Sequence, residues 1–407
     1  MLKRQMYTEL WQTLSSEKQM IFLTGPRQSG KTTLSKEIIK NYPNNIYFNW
    51  DIIPNKKMLI DNPTFFEQLN RVDSSRPLIV LDEIHKYVNW KNYLKSIYDQ
   101  FKDEYLFLVS GSGRLDVYQK GGDSLAGRYF IFHLFPFTAA ELSTKKREFN
   151  PFVKDPLRNF ALNPNKSTKK VWDALFTTGG FPEPFIKASE TFLIKWSTNY
   201  FRQIIREDIR NFADIKRVDT LELLFSLLPS RIGSPLSINS LARDVQSAFD
   251  SVRDWLKIFE SLYLIFRIPP WTKKIKRAIL KEKKLYLFHH PAIQDDGAKF
   301  ENMVALELLR AINNWNDSGF GVFTLHYIRN KDKQEVDFLI ADRNKPLLLI
   351  EVKLSEDKPS KNLLYFQNIL NVPAVQVVHK EDVYKYIKNG ENHLLIITAH
   401  RWLSSLP

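Results

Sequence analysis

One segment near the N-terminus constrains the fold more than any other, because it joins an apolar run, a glycine-rich turn and a helical stretch without a break. The apolar residues 20–24 are followed by GPRQSGKTT, which fits the spacing Gly25-x4-Gly30-Lys31-Thr32. Such a loop between a strand and a helix binds phosphate groups through its backbone N–H groups and the helix N-terminus. The predicted nucleotide-binding residues are Gly25, Pro26, Arg27, Gln28, Ser29, Gly30, Lys31, Thr32 and Thr33.

An apolar strand that ends in two acidic residues completes the predicted nucleotide site. In PLIVLDE, residues 78–81 are apolar, and Asp82 and Glu83 follow them. We expect Lys31 to neutralise β- and γ-phosphate oxygens of ATP, and the Thr32 hydroxyl to ligate Mg²⁺. Asp82 is expected to hold the same Mg²⁺ through water, and Glu83 to activate the attacking water. The alternative is that the glycines occur by chance in an ordinary turn. The loop, the strand and the aspartate, however, follow each other in the order and spacing of a nucleotide-binding site.

Five apolar runs alternate with helical stretches in the first part of the chain, which predicts a parallel sheet covered by helices. The predicted strands are residues 20–24, 46–50, 78–81, 106–110 and 129–134. Open α/β sheets bind ligands at the carboxyl ends of their strands. Ser110 and Ser112, which end the run YLFLVSGS, are therefore candidates to sense the γ-phosphate or hold the attacking water. An ordinary Gly-Ser turn is the alternative.

An arginine follows this part of the sequence in the segment SLAGRYF. Arg128 is a candidate for an arginine finger that reaches the γ-phosphate in a neighbouring subunit, and Arg114 is a second candidate. A surface or structural arginine is the alternative.

Helical spacing replaces the apolar strands between residues 151 and 268. Residues 238–268 predict a helix, a turn, a second helix and a hairpin, which is the order of a winged helix. Residues 273–284, which we call the basic segment, come next and suit contacts with DNA phosphates. A solvated loop or a protein-docking module are the alternatives. Its basic residues are Lys273, Lys274, Lys276, Arg277, Lys281, Lys283 and Lys284.

A second α/β pattern begins near residue 298, with a helix at residues 300–312. The predicted strands are residues 323–328, 336–340, 347–352, 374–378 and 394–398.

Charged residues on two neighbouring strands of this pattern predict a metal site. Asp337 lies on one strand, and Glu351 and Lys353 lie on the next, where alternation places them on one face and Val352 on the other. Two carboxylates suit Mg²⁺ or Mn²⁺, and Lys353 could then stabilise charge developing on phosphorus. Glu301, on the preceding helix, is a candidate further ligand. Charges that simply pair on a surface strand are the alternative.

Composition and charge narrow the remaining possibilities. A chain of 407 residues is too long for one ordinary core, so two or three domains are expected. The absence of cysteine excludes disulfides and thiolate metal sites. No apolar run has the roughly 20 residues of a membrane span, and the N-terminus lacks a signal-peptide centre, so we expect a cytoplasmic protein. The net charge of +14 favours anionic partners, with nucleic acid as the leading candidate, and an organism whose proteins are generally lysine-rich is the alternative explanation.

Several segments together resemble the prokaryotic AAA-type ATPases (AAA+ superfamily) that carry a C-terminal domain of unknown function number 4143. These segments, spread over nearly the whole chain, are GPRQSGKTTL, LDEIHKYVNW, VSGSG, SLAGR, LFPFTAAEL and GGFPEPF. The resemblance implies an AAA-like ATPase core, a winged helix, and a C-terminal fold similar to PD-(D/E)xK restriction endonucleases. It also implies a homo-oligomer, such as a ring. The chain departs from the family at His289 and His290, where such proteins often have an acidic residue.

We therefore predict an α/β chain in three parts. These are a P-loop NTPase (AAA-like) domain with a parallel sheet at residues 1–147, a helical region with a winged helix at 148–272, and a basic linker with a nuclease-like α/β domain at 273–407. The predicted function is Mg²⁺-dependent ATP hydrolysis on DNA, in repair, recombination or defence. The alternative is a nucleotide-switched protein-interaction module with an inactive nuclease fold.

Overall fold

The computed structural model describes residues 4–111, 125–142, 148–158, 166–209, 218–272 and 282–407. The chain forms two compact units, Met1–Phe135 with Ser261–Tyr263, and Pro136–Glu260 with Leu264–Pro407. Ser112, Arg114 and residues 273–281 of the basic segment lie outside the described residues, and the predicted three-part division stays a prediction. Within the described ranges, no helix is long and apolar enough to span a membrane.

A parallel sheet forms the centre of the first unit. Its strands are β1 (Met20–Thr24), β2 (Asn45–Asn49), β3 (Leu78–Asp82), β4 (Leu106–Ser110) and β5 (Tyr129–His133). Their spatial order is β2-β3-β4-β1-β5, and all neighbours are parallel. The strands β1, β3 and β4 are apolar and largely buried because both faces of the sheet are covered. All five predicted strands are confirmed, with ends shifted by at most one residue.

Helices of the first unit pack on the two faces of this sheet. Leu34 and Ile38 contribute to the core on one face, and Leu94 and Ile97 contribute to the core on the other. Buried residues in the helix Trp90–Phe101 recur every three to four positions, which gives one apolar stripe. The helices are α1 (Gln5–Leu14), α2 (Lys31–Ile38), α3 (Ile53–Asp61) and α4 (Trp90–Phe101).

Helices dominate the middle of the chain, as predicted. They are α5 (Ala139–Leu142), α6 (Phe149–Lys154), α7 (Lys166–Thr178), α8 (Pro182–Lys187), α9 (Glu190–Gln203), α10 (Val218–Leu227), α11 (Ile238–Asp244) and α12 (Phe249–Ser261). After α12, the strands β6 (Ile265–Ile268) and β7 (Lys284–Leu287) pair antiparallel. The two helices predicted within residues 238–268 are present, but only the first strand of the hairpin lies there, because its partner β7 begins at Lys284. The winged-helix interpretation stays a prediction.

A mixed sheet of six strands forms the last part of the second unit, in the order β12-β13-β11-β10-β9-β8. The pairs β10–β11 and β11–β13 are parallel, and the other pairs are antiparallel. The elements are α13 (Asp296–Asp317), β8 (Phe323–Arg329), β9 (Glu335–Asp342), β10 (Lys345–Lys353), α14 (Lys361–Leu370), β11 (Ala374–Val378), β12 (Tyr384–Asn389), β13 (Asn392–Thr398) and α15 (Ala399–Leu403).

The predicted helix and five strands of this part are confirmed with wider bounds, but β12 was missed. It is an edge strand whose residues are partly or fully exposed, so it has no apolar run. The signal that could have revealed it is Gly390, the first of the two turn residues between Asn389 and Asn392, since glycine at this position is typical of tight hairpins.

Gly25 lies where the loop after β1 passes close to the chain after β5. Its φ is +149°, and a Cβ atom at this position would lie 2.1 Å from the carbonyl oxygen of Leu134. The Leu134 N–H donates to the Thr24 carbonyl at 2.8 Å, so the two segments are held together directly before the glycine. Only glycine fits here without moving the backbone.

We therefore expect Gly25→Ala to lower the free energy of unfolding strongly and to displace the loop. Gly127 is a matched control in the same unit, because its φ is also positive, at +74°, but no atom lies within 4 Å of its ideal Cβ. Gly127→Ala should cost only about 1–2 kcal/mol, the price of a left-handed conformation. Chemical denaturation of both variants measures this difference, and equal losses would contradict it.

Candidate functional site

The loop after β1 wraps around the ammonium group of Lys31. Lys31 Nζ donates to the carbonyl oxygens of Gly25 at 3.0 Å and Pro26 at 2.6 Å, and the side chain is buried. Gln28 and Gly30 have positive φ values of +62° and +98°, and Gly30 is the N-cap of α2. The loop, the N-terminus of α2 and a buried ammonium therefore converge at one place, as a phosphate site requires.

Arg4 fixes the backbone of this loop from the N-terminal side. Its guanidinium donates to the carbonyl oxygens of Ser29 at 2.8 Å and Phe135 at 2.7 Å, and the residue is buried. The sequence offers no signal for this role, because Arg4 is one basic residue in a charged N-terminus. The contact joins the residue before α1 to both segments that enclose the loop.

Hydrogen bonds from two strands and a helix converge on the carboxylate of Asp82, which ends a third strand. The strand register aligns Asp82 with Asn49 of β2 and Ser110 of β4. Thr32 Oγ1 donates to Asp82 Oδ2 at 2.7 Å, Tyr47 OH donates to the same oxygen at 2.6 Å, and Ser110 Oγ donates to Oδ1. The structure thus brings together the predicted residues Thr32, Asp82 and Ser110.

Tyr47 is a member of this cluster that sequence reasoning missed. Burial and the hydrogen bond to Asp82 raise the pKa of Tyr47, so the phenol stays protonated and donates. Asn49 lies two residues along β2, on the same face, and its amide nitrogen is 3.4 Å from the same Asp82 oxygen. Strand alternation links the two residues, but only the neighbour relation between β2 and β3 reveals their partner.

Glu83 follows Asp82 in a strained backbone conformation with a φ of +56°. Its carboxylate lies 3.0 Å from Lys86 Nζ and 3.7 Å from His85 Nε2. Burial by itself would raise the pKa of Glu83, but positive charge on His85, Lys86 and Lys31 lowers it on balance. Because burial lowers the pKa of His85, the two lysines carry this effect at neutral pH. Glu83 is therefore ionised, as a group that activates water must be.

Arg128 lies immediately before β5 and is paired within its own chain. Its guanidinium forms a two-point ion pair with Asp99 of α4, at 2.7 Å and 3.1 Å. Its predicted action across a subunit interface stays a prediction.

In the second unit, the ammonium group of Lys284 lies among carboxylates. Lys284 Nζ is 3.2 Å from Glu301, 3.2 Å from Asp337 and 2.7 Å from Glu335, and the side chain is fully buried. Burial would lower the pKa of Lys284, but the three carboxylates outweigh it and raise the pKa. The prediction that Lys284 contacts DNA with the rest of the basic segment is therefore wrong, because a buried, fully paired ammonium cannot reach phosphate.

The predicted residues Asp337, Glu351 and Lys353 lie together. Register between β9 and β10 pairs Phe338 with Ile350, which places Asp337 beside Glu351. Lys353 Nζ is 3.0 Å from Glu351 Oε1, as strand alternation predicts. Glu351 is buried, and its Oε2 has no hydrogen-bond partner in the described part of the chain. Burial and the charge of Asp337 raise the pKa of Glu351.

Glu301 is paired with Lys284 and Tyr286, and its predicted role as a further metal ligand stays a prediction. Among the described residues, no group of three or more His, Asp or Glu side chains is arranged to hold a metal ion. The physical reason is that Lys284 bridges Glu301 and Asp337, and Tyr286 OH donates to the same Glu301 oxygen at 2.7 Å. Two carboxylates, Asp337 and Glu351, remain as candidate ligands.

The two histidines that depart from the resembled family are buried. His289 Nε2 is 2.8 Å from the Ser197 hydroxyl, and His290 Nε2 is 2.8 Å from the Leu175 carbonyl oxygen. Burial lowers the pKa of His289 to about 3 and the pKa of His290 to about 4. Both are neutral at physiological pH and join β7 to helices α9 and α7.

Three family models match the chain, one after another. Residues 17–143 match the AAA domain, residues 169–290 match a domain of unknown function (DUF8612), and residues 296–398 match a domain of unknown function (DUF4143). The resemblance to AAA-type proteins with a C-terminal domain 4143 is thereby confirmed at both ends of the chain.

Two whole proteins similar to this chain are named as uncharacterized. The chain is 23% identical over 403 residues to the uncharacterized protein MJ1544 of Methanocaldococcus jannaschii, covering 94% of this chain and 87% of that protein. It is 22% identical over 342 residues to the uncharacterized protein Rv2008c of Mycobacterium tuberculosis, covering 80% of this chain and 68% of that protein.

Solved structures with partial similarity have low TM-scores. The Aeropyrum pernix ORC1 protein in complex with DNA aligns at a TM-score of 0.33 and 12% identity, covering 75% of this chain and 93% of that one. A DNA replication initiation factor aligns at a TM-score of 0.30 and 16% identity, covering 63% of this chain and 86% of that one. Scores this low support no conclusion about what the chain does.

The position of Tyr47 leads to a test of the Asp82 cluster. We expect Tyr47→Phe to weaken Mg²⁺-dependent ATP binding about 10-fold, because a hydrogen bond to a charged group contributes about 1.5 kcal/mol or more. Tyr42→Phe is the control, since the Tyr42 phenol contacts Trp11 Nε1 at 3.0 Å and not Asp82. Titration of ATP binding with Mg²⁺ measures both variants, and equal effects would deny Tyr47 a specific role.

Proposed function

We propose that the chain hydrolyses ATP with Mg²⁺ at the loop that contains Lys31. The observation that supports this most strongly is the meeting of Thr32 and Ser110 on Asp82, next to an ionised Glu83. These groups come from the loop helix, β3 and β4, and together they supply the parts that phosphoryl transfer to water needs. The match to the AAA domain over residues 17–143 agrees with this proposal.

Each side chain has a role that follows from its position. The backbone N–H groups of residues 25–33 and the Lys31 ammonium bind the phosphates, once Lys31 exchanges its loop carbonyl partners for phosphate oxygens. Thr32 and Asp82 would hold Mg²⁺, because their oxygens are in contact and oxygen is the ligand that Mg²⁺ prefers. When bound, Mg²⁺ would neutralise charge on the β- and γ-phosphates. Glu83 orients the attacking water and accepts its proton.

The proposal extends to DNA as the partner of the ATPase. Its supports are the net charge of +14, the basic segment, and the order of α11, α12, β6 and β7, which suits a winged helix. We also propose a cytoplasmic homo-oligomer, such as a ring, in which Arg128 leaves Asp99 to reach a neighbour's nucleotide. The competing function is a nucleotide-switched protein-interaction module that ignores DNA.

A metal-dependent phosphodiesterase in the second unit is a second candidate function. The specific observation is the buried Glu351 Oε2, which lacks a hydrogen-bond partner among the described residues and lies beside Asp337. A divalent cation held by Asp337 and Glu351 would satisfy this oxygen, and Lys353 could then stabilise charge on a phosphodiester. Without a cation, the same residues only pair their charges, and the nuclease-like fold is inactive.

Substitutions of Lys31 and Glu83 should affect ATP binding and ATP turnover differently. Lys31→Ala should weaken ATP binding, because Lys31 contacts phosphates in the ground state. Glu83→Gln should bind ATP normally and turn it over about 10²–10⁴-fold more slowly, because Glu83 acts on the water. Lys40→Ala, at an exposed lysine just after α2, is the control and should change neither value. Equal loss of binding in the Lys31 and Glu83 variants would remove the role of Glu83.

The DNA proposal predicts a steep salt dependence of binding. The logarithm of affinity for duplex DNA should fall with the logarithm of salt concentration by about 0.9 per neutralised phosphate. Replacing Lys273, Lys274, Lys276 and Arg277 with alanine should flatten this slope and reduce stimulation of ATP turnover by DNA.

A charge-matched control separates local contact from net charge. The exposed residues Lys331, Lys333, Lys345 and Lys361, replaced together by alanine, remove the same number of positive charges from the surface of the second unit. An identical effect in the control variant would show that net charge, and not the basic segment, attracts DNA. No stimulation by duplex, single-stranded or branched DNA would favour the interaction module.

A further inference from the structure

Lys284 has the surroundings of a bound cation. Its ammonium group has three N–H donors, and three carboxylates surround it, at 3.2 Å from Glu301, 3.2 Å from Asp337 and 2.7 Å from Glu335. The ring of Tyr327 lies 5.6 Å from Nζ, and the side chain has no exposed surface. Every donor of this buried charge is therefore used inside the protein.

The carboxylates are spaced for an ammonium and not for a metal ion. Nitrogen–oxygen distances of 2.7–3.2 Å are those of hydrogen bonds. Oxygen ligands lie at about 2.0–2.1 Å from Mg²⁺ and about 2.3–2.6 Å from Ca²⁺. A metal at this point would have to displace Lys284, which is fixed by its position in β7 and by the pairing of that strand with β6.

Glu351 presents the opposite situation, although it lies beside the same Asp337. Its Oε1 accepts from the Ser360 hydroxyl at 3.1 Å and pairs with Lys353 at 3.0 Å, but its buried Oε2 has no partner in the described part of the chain. The cluster thus has three carboxylates that share one lysine, and one Glu351 oxygen that is still unsatisfied.

We propose that Lys284 is a permanent, built-in cation of this cluster, which claims Glu301 and one oxygen of Asp337 for itself. It leaves Asp337 and Glu351 as the carboxylates for a single divalent cation. Phosphodiester-cleaving sites often hold two metal ions, and Lys284 takes the place of one of them. This inference rests on the second candidate function, and it removes Glu301 from the metal ligands and makes it a partner of lysine.

Mn²⁺ binding tests the assignment of ligands. The full chain is titrated with Mn²⁺ in the absence of nucleotide, with Asp82→Asn in every variant so that the first unit does not contribute. We expect one Mn²⁺ per chain, and Glu301→Gln should change its Kd by less than about twofold. Asp337→Asn and Glu351→Gln should each weaken binding by at least about 10-fold, since even residues that only support a metal ligand have effects of this size.

Two outcomes of the titration overturn the proposal in distinguishable ways. If Glu301→Gln weakens Mn²⁺ binding as much as Asp337→Asn does, Glu301 is a metal ligand and the role of Lys284 is wrong, while the nuclease function survives. If the parent chain binds no Mn²⁺, the single-cation site is wrong and the nuclease function falls with it.

Thermal unfolding in the absence of metal tests Lys284 by itself. Lys284→Met keeps the apolar stem and removes the charge, which leaves Glu301, Asp337 and Glu335 without their shared cation. We expect the Tm to fall by roughly 5–15 °C. Adding Glu301→Gln to Lys284→Met should restore part of the Tm, although Glu301→Gln alone should lower it.

Lys353→Met is the matched control, because Lys353 is 34% exposed and pairs with Glu351 instead of Glu301. Its Tm change should be smaller, and Glu301→Gln should not correct it. Additive effects of Lys284→Met and Glu301→Gln would overturn the pairing. If Lys284→Met does not fold, the Mn²⁺ titration of Glu301→Gln still decides between the two assignments.

Discussion

The hydrogen bonds that converge on Asp82 depend on the strand order of the first unit. Asp82 ends a central strand whose neighbours carry Asn49 and Ser110 at the same level, so the parallel register itself assembles the cluster. The loop after β1 then brings Thr32 to the same carboxylate. A buried carboxylate needs hydrogen-bond donors, and here the donors also connect the strand ends to the loop. Fold and nucleotide chemistry are therefore specified by the same contacts.

In the second unit, a cluster of carboxylates is stabilised by a lysine instead of by hydroxyl groups. The partly buried carboxylates of Glu301, Glu335 and Asp337 come from a helix and a strand that are distant in sequence, and one fully buried lysine from a hairpin pairs with all three. Breaking such a group is costly because any member that is left alone keeps its charge in a medium of low polarity. Lys284 thus ties the hairpin β6–β7 to the sheet that carries Asp337 and Glu351.

The parts that could be predicted from sequence are those written in consecutive residues. The strands β1 and β3 were predicted because buried parallel strands are continuous apolar runs. The loop between β1 and α2 was predicted because its glycines and Lys31 have a fixed spacing. Tyr47 was missed because its role depends on which strand lies beside β2. Lys284 was misassigned because it stands in a run of lysines, which predicts a solvated surface. Only the approach of carboxylates from distant segments shows that this one lysine is buried.

The contacts of Arg4 have a consequence for communication within the first unit. The guanidinium of Arg4, the residue before α1, donates to the carbonyl oxygens of Ser29 and Phe135. A displacement of α1 is therefore coupled to a change in the shape of the loop. Thermodynamic linkage makes such a connection reciprocal. If nucleotide binding shifts α1 and so changes the affinity of α1 for a second ligand, that ligand changes the affinity for nucleotide by the same factor. A ligand bound at α1 would therefore act on the phosphate loop through the contacts of Arg4.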